Sequence, residues 1–396
     1  VKILFVSLFF PRENSFHAGG RYVFEVIREL SARHEIYLAT RLEESEIPLL
    51  SGLHPFCKDI YPYIYRTREK RGALDVLRLL LNYAGFSRFA RKLSGNGDFD
   101  IVQVEWTEAG VMMKKMKTPM VLDAHDVITK PAERRAGNLR GIRRSAHFLA
   151  YILIRNMERR IVKKFDMVFT LSDFDRKYLA GLQPGLRIRT VPVPAGLDIT
   201  EKKFKKDRNT ILFLASYKYR RVNVEAALYF YRSVFPLVRK EVPDAKFIAA
   251  GYGPPEELTA LREKDPNVEV PGFVEDIDEC YKKAAVFVAP ILVGGGIIVK
   301  ILDAMAAGTP VVTTSYGNEG IGAVPGRDLL VADGHEAFAA AVSRLLMDAE
   351  FAAEIGANGR AFVRRNYSRQ TVISEIESAY EELAGMQGEK RLEVRG

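Results

Sequence analysis

Apolar positions along the chain arrive in two rhythms. Short, nearly continuous runs of Val, Ile, Leu and Phe have the length and the lack of alternation of strands buried on both faces of a parallel sheet. In the first half these are Ile3–Ser7, Glu35–Thr40, Ile101–Glu105, Met120–Asp123, Met167–Leu171 and Ile188–Val191. Between them apolar residues return every three or four positions, as in Gly20–Arg33, the rhythm of an amphipathic helix. A second series follows, with strands at Ile211–Leu214, Lys246–Ala250, Val268–Val270, Val286–Ala289, Pro310–Thr313 and Leu329–Val331. Its helices read at Asn223–Glu241, Asp276–Ala284, Ile297–Ala307, Ala337–Asp348, Phe351–Asn366 and Gln370–Leu383. This alternation predicts an α/β fold built from doubly wound parallel sheets. The segment Val191–Asp198, with two prolines and a glycine, precedes the polar run Glu201–Asn209 and marks a linker. The expected domains are therefore 1–196 and 197–369, with a last helix in about 370–396 packing back on the first.

Ligands of doubly wound sheets bind beyond the carboxyl ends of the strands, beside glycine-rich turns and helix N-termini. The richest such loop follows Val286–Pro290 and reads ILVGGGIIVKILDAMAAGTPVV. Gly294, Gly295 and Gly296 let backbone approach a ligand and expose N–H groups at a helix start. Lys300 lies one turn into that helix, and Asp303 three residues on shares its face. A cation there can neutralise phosphate, and a carboxylate can accept bonds from ribose hydroxyls. A glycine bend with a surface Lys–Asp pair fits the same spacing. Upstream, the loop after Ile211–Leu214 carries Ser216, Lys218, Arg220 and Arg221; in the first half, Gly19 and Gly20 open a helix and His125 follows a strand.

With 396 residues the chain is too long for one ordinary core. Its opening, VKILFVSLFF, lacks a charged leader and a small-residue cleavage site and reads as a buried first strand. Two distant cysteines, Cys57 and Cys280, make no disulfide framework and fit a reducing cytoplasm. Residues 1–200 hold 33 Lys and Arg against 22 Asp and Glu, while residues 201–396 hold 26 against 28, so the basic excess lies in the first half. Tyr65–Leu93 and Lys130–Phe165 carry much of it, mixed with Leu, Phe, Tyr and Ile at helical spacing. Such segments serve either as core helices with a solvated basic face or as helices lying on an anionic membrane. No aromatic-basic motif of nucleic-acid recognition accompanies the charge, and no nucleic-acid partner is expected.

From Ile211 to about Tyr367 the chain resembles the donor domain of family-4 retaining glycosyltransferases of GT-B fold. The matching segments are FLASYKYRRVNVEAALYF, FPLVRKEVPDAKFIAAGYGPP, VEVPGFVED, VFVAPILVGGGIIVKILDAMAAGTPVVTT and GNEG. The resemblance implies two Rossmann-like domains facing across a cleft, the first for the acceptor and the second for a UDP- or GDP-sugar. It implies transfer with retention to a glycan, glycolipid or small-molecule acceptor; the cysteine usage and the basic first half place this in the cytoplasm or at the inner face of the membrane. Within the family's Glu-x7-Glu motif, Asp303 takes the ribose-binding second place and Gly295 replaces the first acid, as in a subgroup with a glycine-rich loop. Lys300 with a cation from Lys218, Arg220 and Arg221 is expected on the diphosphate, and the backbone of Gly272, Phe273 and Val274 on the nucleobase. Phe273 read alone is a core residue. Gly19 and Gly20 match a glycine pair facing phosphate or acceptor, and His125 a histidine meeting the transferred sugar, with Asp126 to orient it. Ser172-Asp173 matches a strand-to-helix turn, with Asp173 as helix cap.

Asp98-Phe99-Asp100, Asp173-Phe174-Asp175 and Asp276-Ile277-Asp278 formally match the metal-holding Asp-x-Asp of GT-A enzymes. Each sits where a turn or cap explains it, so no metal and no cofactor beyond the nucleotide-sugar is expected. A dinucleotide dehydrogenase would need GxGxxG after a strand and an acid about 20 residues on, which neither half presents. The missing first acid leaves a second reading, a catalytically inactive GT-B protein that binds a sugar nucleotide or a partner.

Overall fold

The computed structural model describes residues 1–13, 18–65, 73–138, 141–194, 205–218, 220–293 and 296–393. It divides into two compact units, Val1–Pro192 with Val372–Gly396, and Val193–Thr371.

The first unit holds a sheet of β1 (Lys2–Ser7), β2 (Glu35–Glu43), β3 (Asp59–Tyr65), β4 (Ile101–Glu105), β5 (Met120–Ala124), β6 (Met167–Thr170) and β7 (Ile188–Thr190). Their order is β3-β2-β1-β4-β5-β6-β7 and every pairing is parallel. Its helices are α1 (Ala18–Leu30), α2 (Ala73–Asn96), α3 (Thr129–Asn138), α4 (Gly141–Val162) and α5 (Asp173–Leu182). All residues of β4 and β5 are buried, which is what an apolar run between two helical layers dictates. The sequence pattern missed β3, whose DIYPYIY carries a proline; as an edge strand it tolerates the lost N–H.

The second unit repeats the plan with β8 (Asp207–Leu214), β9 (Lys246–Ala250), β10 (Val268–Gly272), β11 (Ala284–Ala289), β12 (Val311–Thr313) and β13 (Leu330–Val331). They run in the order β10-β9-β8-β11-β12-β13, again all parallel. Around it lie α6 (Arg221–Tyr229), α7 (Phe235–Glu241), α8 (Glu256–Thr259), α9 (Leu261–Lys264), α10 (Ile277–Lys283), α11 (Val299–Ala306), α12 (Ser315–Glu319), α13 (His335–Met347) and α14 (Ala349–Tyr367). The one helix expected over Asn223–Glu241 contains a wide turn, Phe230–Val234, that joins α6 to α7 ahead of Pro236.

The last helix, α15 (Arg369–Glu393), begins at the end of the second unit and packs on the first. Glu377 takes both Arg33 Nε, at 2.7 Å, and Nη2, at 2.9 Å, and Glu382 takes Arg189 at 2.8 Å. Each sheet reverses its strand order at one place, between β1 and β4 and between β8 and β11, where doubly wound folds bind ligands.

Candidate functional site

In the first unit β4 borders the reversal of strand order and ends on Glu105, in register with Asp123 near the end of β5. His125 follows directly and is 6% exposed. Its Nε2 lies 2.7 Å from Glu105 Oε2. Trp106, next in the chain, stacks on the imidazole with centroids 4.1 Å apart and planes 15° from parallel. The edge of Tyr22, from α1, closes a further side at 5.2 Å. Trp106 adopts φ 70°, a backbone state that costs a bulky residue about 1–3 kcal/mol and that the surrounding packing must hold. Its N–H donates to the Asp123 carbonyl at 3.0 Å, and Phe9 packs edge-on at 4.7 Å.

Behind this pair a buried chain of hydrogen bonds runs to α15. The Tyr380 hydroxyl donates to Gln103 Oε1, and the Gln103 amide donates to Glu105 Oε1 at 2.7 Å. Tyr22 donates to Asp123 Oδ2 at 2.9 Å, while Asp123 Oδ1 is buried with no partner among the described residues. Removal from water raises the affinity of Glu105 and Asp123 for a proton and lowers that of His125. Glu105, Asp123 and His125 offer ligand atoms within 4.8 Å of one another. The Glu105–His125 separation of 2.7 Å is closer than the about 3.3 Å between neighbouring N/O ligands of a tetrahedral zinc, so the pair fits a shared proton. Asp126, expected to orient His125, is exposed; the orienting hydrogen bond comes from Glu105. Gly19 and Gly20 sit in the first turn of α1, Gly20 buried.

In the second unit the loops after β8, β9 and β10 are laced together at their carboxyl ends. Ala215 N–H donates to Ala250 at 3.0 Å, Gly251 N–H to Gly272 at 2.8 Å, and Tyr217 N–H to Tyr252 at 2.9 Å. Gly251 makes this possible: its φ is 135°, and a Cβ there would lie 1.8 Å from the Ala215 carbonyl oxygen. Onto this frame Asn223 is clamped, its amide donating to the Ser216 carbonyl at 2.7 Å and its Oδ1 accepting from Lys300 Nζ at 2.9 Å. Lys300 lies 4.9 Å from the centroid of the Phe213 ring. Burial, with a smaller contribution from Arg220, pushes its ammonium down to about 7.

Of the other expected cations, Arg220 is exposed immediately before α6, close enough to Lys300 to act on its charge. Lys218 reaches the Tyr252 hydroxyl at 3.2 Å. Arg221 pairs with Glu257 and with Glu225, the latter at 3.3 Å. Gly294 and Gly295 fall outside the described residues. Gly296, with φ 80°, closes the loop, and a Cβ on Gly320 of the GNEG segment would lie 2.3 Å from its carbonyl oxygen. Asp303 is half-buried near the Tyr281 hydroxyl, whose proton it helps retain. Gly272 ends β10 and Val274 is half-buried against the core. Phe273, read alone as core, is 69% exposed, because the chain leaves β10 at Gly272 (φ 79°), and its ring meets the edge of Tyr252.

The Asp-x-Asp pairs have other partners. Asp98 and Asp100 hold Lys2, at 3.0 and 2.7 Å. Asp175 is buried against Lys130 at 2.7 Å, and Asp278 pairs with Lys282 at 2.8 Å. Asp276 caps α10, but α5 is capped by Ser172 rather than Asp173, which instead pairs with Arg176 and Lys177. The sequence pattern gave no notice of Glu105, Trp106, Gln103, Tyr380 or Asn223. Glu105 reads simply as the end of an apolar strand and Asn223 as a residue of the first turn of a helix.

Two doubly wound units, each with a polar cluster at its strand-order reversal, define a GT-B architecture. Two family models match, glycosyltransferase family 4 over residues 19–201 and glycosyl transferases group 1 over residues 208–348, and the chain belongs to the family-4 glycosyltransferases. It is 27% identical over 380 residues, 90% of this chain and 95% of the relative, to an uncharacterized 44.6 kDa protein in the cps region of Klebsiella pneumoniae. It is 24% identical over 320 residues, 75% of each chain, to a phosphatidyl-myo-inositol mannosyltransferase of Mycolicibacterium smegmatis. Among solved structures, sucrose-phosphate synthase of Thermosynechococcus elongatus superposes with TM-score 0.67 at 17% identity, covering 97% of this chain and 99% of that one. Anabaena HepE, solved in complex with UDP, superposes with TM-score 0.64 at 13% identity, covering 96% and 100%.

Proposed function

We propose that this protein transfers a sugar from a UDP- or GDP-sugar to a glycan, glycolipid or small-molecule acceptor, with retention at the anomeric carbon and without a metal. The observation that carries the reading is the set of cations at the reversal of the second sheet, with Lys300 fixed by Asn223 near Arg220, and Lys218 on the loop after β8. As the bond from the anomeric carbon to the β-phosphate breaks, negative charge grows on the departing diphosphate. Preorganised cations and loop amides stabilise that charge, and removing one such group typically costs about 10²–10³ in rate. The new bond forms to an acceptor hydroxyl on the same face, and its proton passes to the leaving phosphate. Asp303 accepts from the ribose, and His125 meets the transferred sugar. HepE structures contain UDP and UDP-glucose, which supports a nucleotide-sugar donor.

Of these acceptors, a glycolipid reached at an anionic membrane surface is the one that the exposed apolar side chains of α2 and α4 suit. In α4, Phe148, Leu149 and Leu153 are 54%, 61% and 63% exposed, with Arg159 and Arg160 following in the last turn. In α2, Leu80 and Leu81 are 58% and 63% exposed beside Arg78. Apolar side chains flanked by arginines suit a headgroup layer. Among the described residues no helix is long and apolar enough to cross a membrane. A mannosyltransferase named for a phosphatidylinositol acceptor among the relatives agrees with this.

Incubating the protein with UDP- and GDP-sugars and a lipid extract, then reading the anomeric configuration of the product by NMR, tests the reading. An α-linked product from an α-linked donor is expected. Inversion would refute retention, and tight donor binding with no release of nucleotide by any acceptor or by water would replace the reading with the inactive binder.

A further inference from the structure

We infer that Glu105 is a positioning residue that sets both the ring orientation and the tautomer of His125, leaving Nδ1 as the ring atom available to a ligand. Because the Tyr380 hydroxyl donates to Gln103 Oε1, the Gln103 amide must present its NH₂ group to Glu105 Oε1. Oε1 is therefore committed as an acceptor. Any proton held by the Glu105 carboxyl sits on Oε2, the atom 2.7 Å from His125 Nε2. A protonated Glu105 donates to Nε2 and leaves the hydrogen on Nδ1; an ionised Glu105 accepts from Nε2–H and leaves Nδ1 bare. Among the described residues Nδ1 has no hydrogen bond, so it is the polar end the ring offers outward. The Trp106 stack and the Tyr22 edge prevent the ring from turning over and exchanging the two nitrogens.

The groups facing the ring favour the first state near neutral pH. Burial holds the proton on Glu105 and disfavours a charged imidazole. Asp123 is itself biased toward the neutral acid by burial and by Glu105, and Tyr22 and Tyr380 are buried and neutral. Glu108 and Asp126 supply the remaining charge, both acting to favour a protonated ring. At neutral pH the ring is thus a neutral hydrogen-bond donor from Nδ1. As pH rises and Glu105 ionises, the same atom becomes an acceptor. A ligand oxygen that needs a donor, such as a sugar ring or carbonyl oxygen, is held in the first state only. This rests on the reading of His125 as a ligand-facing residue, but the tautomer is measurable with no ligand present.

The test is ¹⁵N NMR of histidine-labelled protein, with His125 assigned by His125→Asn among the 6 histidines of the chain. Near pH 7 the expected shifts are those of a protonated Nδ1, exchanging for those of a protonated Nε2 as pH rises. In Glu105→Gln the amide oxygen accepts from Gln103 and the NH₂ faces Nε2, so the Nδ1–H form should persist at every pH. Tyr380→Phe frees the Gln103 amide to flip and should yield a mixture of tautomers. Trp106 is the chain's single tryptophan and lies on the ring, so its emission follows the same transition and should lose its alkaline step in Glu105→Gln. An Nε2–H tautomer across the whole range in the parent, or an alkaline transition kept in Glu105→Gln, would overturn the inference. If the tautomer behaves as stated yet His125→Asn leaves sugar transfer intact, the fault lies in the role of His125, and Glu105 still sets its tautomer.

Discussion

Binding of a nucleotide-sugar at the proposed site should draw a proton out of solution, with Lys300 as the group expected to take it. With its ammonium pushed down to about 7, Lys300 is mostly neutral at pH 8 in the free protein. A diphosphate set against it favours the charged form and returns its affinity for protons toward the ordinary lysine value of about 10.4. The occupancy of the ammonium then rises from about 0.1 to about 1 at pH 8, an uptake of about 0.9 proton, against about 0.1 at pH 6. By linkage the donor affinity falls about tenfold for each pH unit above 7, worth about 1.4 kcal/mol per unit. The diphosphate of an intact nucleotide-sugar has no titrating proton in this range, so UDP-glucose or GDP-mannose is a better probe than the free nucleotide. Calorimetry at pH 8 in buffers of different ionisation enthalpy reads the uptake directly. Lys300→Met should abolish it and flatten the affinity profile above pH 7. No uptake at pH 8 in the parent, or the same uptake in Lys300→Met, would remove Lys300 from the diphosphate.

The stability of the unliganded protein should carry the opposite signature of the same group. The folded-state value of Lys300 lies below the unfolded one, so its contribution to stability improves as pH rises from about 7 toward 10; Lys300→Met should lack this rise in thermal melts. Asn223→Ala removes the side chain that joins the Ser216 carbonyl to Lys300 and should lower kcat/KM by about tenfold or more with little change in Tm. Gly251→Ala, forced against the Ala215 carbonyl at φ 135°, should destabilise the second unit by about 2–4 kcal/mol, read from denaturant midpoints. Leu149→Glu with Leu153→Glu should abolish flotation with anionic liposomes while leaving Tm and water-driven donor hydrolysis unchanged. EDTA should leave transfer unaffected, and loss of activity restored by Mn²⁺ would refute metal independence.

The sheets were legible because parallel strands buried on both faces write themselves as unbroken apolar runs. Ile101–Glu105 and Lys246–Ala250 match the observed strands at both ends. The edge strand Asp59–Tyr65 escaped, since exposure on one side and Pro62 dilute that signal. Among the candidate site residues, those in local motifs, including Lys300 and His125, could be named from the sequence, and their place in a functional site remains the proposal. The side chains that hold them could not be. Asn223 stands 77 positions from Lys300, and Tyr380 stands 277 from Gln103, so their meeting depends on how strands and helices assemble. Phe273 shows the converse error. An aromatic beside a strand suggests core, but the turn at Gly272 decides where it goes.

The most direct measurement is the release of nucleoside diphosphate from UDP- and GDP-sugars, with lipid extract present, by the parent protein and by Lys300→Met at matched folding. The parent should release nucleotide from at least one donor, and the variant should be slower by about 10²-fold or more. Equal rates from the two proteins would contradict the claim that these cations stabilise the departing diphosphate.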